Sequence, residues 1–333
     1  MDKYNSKKSL SLCASVVELI SDFCSMKKII FLVVGILFLG FVFAIYFRPK
    51  QIIAAGEVKA KYTLPSSHFI NWRGTELHYT DEGSGFPIIM LHGFGGSHRN
   101  FNKITELLKD SFRVVRLDLP GFGMSDMPKG ENINPPEIYR DYLKFLTDSL
   151  NIDSFYVMGN SMGGWVAWQI AVENPDKVKG LVLLGSAGYE MDKIKTKAVN
   201  WIKLPFVVKA LERGMPYSAS KDAGIRCWAN DSLIDPVEVQ ANNDFWNREG
   251  NIHGAFAVAS SDVMPDTTKL QTLNCPTLIV WGKQDEIIPS YHAEKFHRDI
   301  KNSTMIVYDP CGHLPQVEMA EQFEKDFLKF IKK

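Results

Sequence analysis

Residues 155–173 constrain the fold more than any other stretch. An apolar run, Phe155-Tyr156-Val157-Met158, leads into Gly159-Asn160-Ser161-Met162-Gly163-Gly164, and a helical pattern continues to Glu173. A strand that turns at once into a helix needs a very sharp corner. Side chains flanking that corner would strike the neighbouring strand and helix, and glycine at 159 and 163 meets the need. Ser161 is pushed outward beside a helix N-terminus, whose dipole favours developing negative charge. By chance the pattern Gly-x-Ser-x-Gly turns up in roughly one chain in ten of this length. The strand before it and the helix after it therefore carry the weight.

The same alternation runs through residues 67–333. The spacing predicts strands at 68–72, 76–80, 87–91, 113–118, 155–159, 179–185, 277–281 and 305–308. Several are continuous apolar runs, as strands covered on both faces require. Helical patterns lie between them at 101–109, 137–150, 164–173, 292–299 and 318–332. Strand–helix alternation implies an α/β fold with a mostly parallel, doubly wound sheet of eight strands. The alternation breaks at about 188–266. That stretch is rich in helix formers and aromatics, among them Trp201, Phe206, Trp228, Phe245, Trp246 and Phe256, and reads as an insertion carried on the sheet. Its aromatics suit either an apolar wall for a ligand or the insertion's own core.

A serine hydroxyl is a weak nucleophile and needs a base, which in turn needs an orienting acid. Asp285 follows the strand at 277–281 in Trp281-Gly282-Lys283-Gln284-Asp285, and His313 follows the strand at 305–308 in Cys311-Gly312-His313. Both lie beyond carboxyl ends of strands, where open α/β sheets place their sites. The order Ser161, Asp285, His313 suits a catalytic triad. Glu286 is a neighbouring rival for the acid, and Asp262 and Asp266 are weaker ones, since they precede the last two strands. Charge that builds on a carbonyl oxygen must meet backbone N–H groups. The expected oxyanion donors are the N–H of Met162 and that of Phe94, in the loop His92-Gly93-Phe94-Gly95-Gly96. His92 itself reads as a loop-packing imidazole.

Upstream, residues 29–47 form a 19-residue run without charge, flanked by Lys27 and Lys28 on one side and Arg48 and Lys50 on the other. As a helix it spans roughly the 30 Å of a bilayer core. A cleaved signal peptide is the competing reading. Its apolar region would be unusually long here, and basic residues stand where a small-residue cleavage site belongs. The expectation is a tail at 1–28, a single-pass transmembrane anchor at 29–47, a linker at 48–66 and the main domain at 67–333. Five basic residues precede the run and four follow it closely, so the positive-inside rule leans only slightly to a cytoplasmic N-terminus. In a bacterium that would put the main domain in the periplasm. Of 38 basic and 38 acidic residues, seven and three fall within 1–50, leaving that part net +4 and the rest net −4. Nothing in this balance points to nucleic acid. The five cysteines lack the paired spacing of a zinc site and are too few for a disulfide framework. One disulfide among Cys227, Cys275 and Cys311 stays open.

Together, LHGFGG at 91–96, DLPGFGMSD at 118–126, GNSMGG at 159–164, WGKQD at 281–285 and CGH at 311–313 resemble the α/β-hydrolase superfamily. The resemblance covers the whole of 67–333 and implies that fold, with a helical cap inserted after the sixth strand. It implies structural roles for Asp118 and Asp126. Within the superfamily the chain looks most similar to membrane-anchored monoacylglycerol lipases and carboxylesterases. That likeness implies hydrolysis of lipid-derived carboxylic esters through an acyl-enzyme on Ser161, with neither metal nor organic cofactor. The GNSMGG corner also resembles the meta-cleavage-product carbon–carbon hydrolases, the alternative reading. Those carry Trp after the catalytic His, where this chain has Leu314. Arg226 in the cap is the residue that could mimic their substrate-binding arginine.

Overall fold

A computed structural model describes residues 49–130, 135–190, 209, 211–261 and 265–332, together with Gly35 and Gly40. The expected tail at 1–28 and anchor at 29–47 otherwise lie outside the described residues. Among the described residues no helix is long and apolar enough to cross a membrane.

Eight strands form one sheet: β1 (Ser67–Trp72), β2 (Thr75–Glu82), β3 (Phe86–Leu91), β4 (Phe112–Leu117), β5 (Phe155–Asn160), β6 (Val178–Leu184), β7 (Thr277–Gly282) and β8 (Ser303–Tyr308). Their spatial order is β1-β2-β4-β3-β5-β6-β7-β8. β1 and β2 pair antiparallel, as do β2 and β4, and every later pairing is parallel. The eight-stranded, mostly parallel sheet is the one expected, with ends shifted by one or two residues.

Alternation along the strands builds two cores. Ile89, Leu91, Val157, Leu181, Leu183 and Ile279 face one side and pack with Tyr142, Leu146, Val166 and Trp168. These last four come from α3 (Pro135–Ser149) and α4 (Met162–Glu173), which follow α1 (Ala55–Tyr62) and α2 (Asn102–Leu108) in the chain. Ile88, Met90, Val114, Met158, Val182 and Leu278 face the other side and meet Phe101 and Ile104. Helical periodicity completes this second layer. Phe323, Phe327 and Phe330, at i, i+4 and i+7, form the buried stripe of the C-terminal helix, Ala320–Ile331.

Between β6 and β7 the chain leaves the sheet and returns, as the break in periodicity suggested. The described part of this insertion contains α5 (Tyr217–Ile225), α6 (Pro236–Asn247) and α7 (Asn251–Ser260). α6 begins where it does because the Asp235 carboxylate accepts from the Val237 N–H and Pro236 stands in the first turn. The last helices are α8 (Tyr291–Asp299), α9 (Pro315–Glu318) and α10 (Ala320–Ile331).

The stretch read as a linker, 48–66, is not an open tether. It holds α1, whose Val58 and Tyr62 are buried with Met124, Ala241 and Phe245. Tyr62 Oη and Lys61 Nζ both donate to Asp244 of α6, at 2.6 and 2.7 Å. Ile53 forms a parallel bridge with Arg248. Local pattern hid this, because the apolar stripe of α1 is two residues wide and its partners lie some 180 positions away. Cys227, Cys275 and Cys311 are free thiols.

Candidate active site

The carboxyl ends of β3, β5, β7 and β8 converge on the corner residue. Ser161 sits between β5 and α4 with φ 56° and ψ −119°. A non-glycine residue at positive φ is held there only when its surroundings over-determine it. The surroundings do so here. Ser161 N–H donates to Leu184 O at 3.0 Å, while Ser161 O accepts from Trp165 and Ala187. The flanking glycines are sterically required. A Cβ on Gly159 would lie 2.2 Å from Gly163 O, and one on Gly163 would lie 2.1 Å from Leu91 O.

Asp285 and His313 meet across the ends of β7 and β8. His313 Nδ1 and Asp285 Oδ2 are 2.7 Å apart, and both residues are buried. The other carboxylate oxygen, Oδ1, accepts from the N–H groups of Ile287 and Ile288, at 2.8 Å each. The acid is therefore fixed at both oxygens and holds the imidazole by Nδ1, the arrangement that a general base acting through Nε2 would need. Gly185 forms the floor beneath this pair. A Cβ there would fall 3.0 Å from His313 Nδ1 and 3.2 Å from Asp285 Oδ2. Of the rival acids, Glu286 lies 4.0 Å from Arg226 Nε. Asp266 caps a short 3-10 helix, Thr267–Thr272. Asp262 lies outside the described residues.

The expected oxyanion donors flank Ser161. Met162 opens α4, where the first N–H groups have no partner within the helix. The loop after β3 presses on the serine so closely that a Cβ on Gly93 would lie 2.9 Å from Ser161 Cβ. Phe94 comes next, and its N–H has no backbone or side-chain acceptor among the described residues. Its ring is partly exposed and meets Phe122 and Trp246 edge-on, at 5.4 and 5.9 Å. Trp246 also covers Gly95, and with Phe122, Phe245 and Asn251 it lines a small pocket beside this loop. Of these two cap aromatics, Trp246 touches the Phe94 ring directly, whereas Phe245 reaches only the pocket wall and packs against Tyr62. Trp201 and Phe206 lie outside the described residues.

His92 and Asp118 are structural in their contacts. His92 Nδ1 lies 2.7 Å from Gly93 O, and its Nε2 accepts from the Leu119 N–H at 3.0 Å. That pattern needs a neutral ring, and burial lowers the affinity of His92 for a second proton. Asp118 accepts from the His98 and Met124 N–H groups and contacts Nδ1 of both His78 and His98. Burial pushes its carboxyl up, but the two imidazoles outweigh that and hold it well below the usual carboxylate range. His78, His98 and Asp118 are the one grouping among the described residues with donor atoms close enough for a metal ion. Four N–H contacts already occupy the carboxylate, so hydrogen bonding accounts for the cluster. Asp126 pairs with the buried Arg248 at 2.6 Å.

Asn160, to which the sequence pattern assigns no role, joins two parts of the candidate site. Its side-chain amide is buried and donates to both Leu184 O and His313 O, at 3.0 Å each. One amide thus ties the corner after β5 to the loop that carries His313. Asn next to a candidate nucleophile gives no local hint of this, because its partners are 24 and 153 residues distant.

The sequence pattern of the α/β-hydrolase fold family matches residues 87–320. This chain belongs to that family. The proteins it resembles carry several different names. It is 30% identical to 2-hydroxy-6-oxononadienedioate/2-hydroxy-6-oxononatrienedioate hydrolase 2 of Pseudomonas putida, over 77% of this chain and 91% of the relative. It is also 30% identical to the dihydrolipoyllysine-residue acetyltransferase component of an acetoin-cleaving system from the same species, over 86% of this chain and 74% of the relative. Among solved α/β-hydrolase structures, a thermophilic esterase from Thermogutta terrifontis superimposes with TM-score 0.67 at 27% identity, covering 80% of this chain and 98% of the other.

Proposed function

We propose that this chain is a serine hydrolase in which Ser161 is the nucleophile, His313 the general base and acid, and Asp285 the residue that orients the imidazole. The observation that carries the reading is the doubly anchored Asp285–His313 pair across from a strained serine at a strand–helix corner. In this reading His313 takes the proton of Ser161, whose Oγ attacks the substrate carbonyl. The N–H groups of Met162 and Phe94 hold the oxyanion. The bond to the leaving group breaks, and His313 protonates that group. Water, deprotonated by His313, then releases the acid from Ser161.

The leaving group decides the substrate class. The curated relatives favour a carbon–carbon bond hydrolase, in which an enol-stabilised carbanion leaves a ketone carbonyl. One local observation favours carboxylic esters, including lipid-derived ones such as monoacylglycerols. A dienoate carries a carboxylate that needs a cation in the site, but Arg226 is exposed and directed at Glu286. Leu314 after His313 and the apolar Phe94–Trp246 edge suit an uncharged acyl group. A membrane location through 29–47, with the domain in the periplasm of a bacterium, belongs to this ester reading.

Both substrates can be offered to the full-length chain: p-nitrophenyl esters of graded length, and a 2-hydroxy-6-oxo-dienoate followed by loss of its chromophore. Turnover abolished by Ser161→Ala supports the serine reading, and the preferred substrate assigns the leaving group. Turnover that survives Ser161→Ala sinks it.

A further inference from the structure

The loop that carries His313 is held from several sides. Asn160 holds it from the sheet, and Gln284 and Asp285 hold it from the end of β7. Further contacts join it to the cap. His313 N–H donates to Cys227 O at 2.7 Å. Glu318, at the end of α9, spreads its carboxylate between the two segments. Oε1 accepts from the Gly312 N–H at 2.7 Å, and Oε2 accepts from the Ala229 N–H at 2.9 Å. Burial pushes the Glu318 carboxyl up, against the pull of backbone N–H groups at Ala229, Gly312 and Asn230.

Gly312 shows independently that the two segments are built to touch. A Cβ at this position would lie 2.5 Å from Cys227 O, 2.8 Å from Ala229 N and 2.9 Å from Glu318 Oε1. No side chain fits between the cap and the loop, and the carboxylate bridges them where they meet. A carboxylate that accepts from backbone N–H groups makes charge-assisted bonds, which are stronger than neutral ones.

We propose that Glu318 is a positioning residue that fastens cap segment 227–230 to the loop bearing His313, so that seating the cap and aligning the imidazole are a single event. This rests on His313 being the catalytic base. Glu318 touches no reacting atom. It acts through the main chain on either side of Gly312, and the cap's position reaches the imidazole through it.

The test compares full-length wild type with Glu318→Ala and Glu318→Gln, using hydrogen exchange by mass spectrometry together with steady-state kinetics. In Glu318→Ala, amide exchange should accelerate in both 227–231 and 311–314. The value of kcat should fall about tenfold with KM nearly unchanged, as expected when a group is mispositioned rather than a contact to substrate lost. Glu318→Gln keeps one acceptor oxygen and should lie between wild type and Glu318→Ala in both readouts. Faster exchange confined to 311–314 would overturn the proposal, as would unchanged kcat with both segments loosened. Should Glu318→Ala fail to fold, the same criteria apply to Glu318→Gln. Activity that persists in Ser161→Ala would remove the functional reading. The exchange pattern, which needs no catalysis, would still decide the clamp.

Discussion

Replacing Asn160 by alanine removes a buried side chain that joins the serine corner to the His313 loop. The buried amide donates to Leu184 O and His313 O. Leu184 O keeps the Ser161 N–H, so the change leaves His313 O without its donor. An unsatisfied buried polar group costs about 1–3 kcal/mol, which puts the loss at about 2 kcal/mol. For a domain of this size that corresponds to a Tm lowered by roughly 4–8 °C. The kinetic consequence is separate from the thermal one. Without its tether to Asn160, the His313 carbonyl is free to shift, and a displacement near 1 Å costs about a hundredfold in rate. Thermal unfolding, urea unfolding and turnover on the better substrate, measured on the same preparations, check both parts. A Tm within about 2 °C of wild type would refute the energetic argument, given that slope. A lowered Tm with kcat unchanged would show that the amide stabilises the corner without positioning the imidazole, and would refute the mechanistic one.

Two further outcomes follow from the same geometry. Gly185→Ala places a methyl group 3.0 Å from His313 Nδ1 at a residue with φ +50°, so kcat should drop about tenfold or more while the far-UV circular dichroism stays native; unchanged kcat would contradict the tight floor under the pair. His98 is buried with its pKa lowered to about 4, chiefly by burial, so the folded state binds its proton less readily than the unfolded chain does. That contribution is fully present above about pH 6.5 and is lost as pH falls toward 4, by about 3 kcal/mol in all; urea midpoints of wild type and His98→Gln across this window should converge at low pH, and parallel curves would refute it.

Much of the fold was legible because its signals are local. Eight strand patterns, several of them apolar runs, are read within windows of about ten residues, and the sheet has those eight strands. The strand–helix corner at Ser161 was legible for the same reason, since steric demand there falls on residues two apart. The positions of Asp285 and His313 followed from strand ends, and Asp285 rather than Glu286 contacts the imidazole. The antiparallel entry of β1 and β2 carried no such mark. α1 within the supposed linker was invisible too, because its buried face depends on Asp244 and Phe245 of α6.

What the sequence by itself determined is the set of elements and the candidates for reactive groups, since periodicity, turn sterics and side-chain chemistry act over a few residues. Only the tertiary structure decided which main-chain atoms those groups lean on. Asn160 reaches the His313 loop 153 residues away, and Glu318 joins that loop to the cap 89 residues before it. Such bonds form where strand ends and insertions are packed together, and no local pattern encodes a partner that folding brings near.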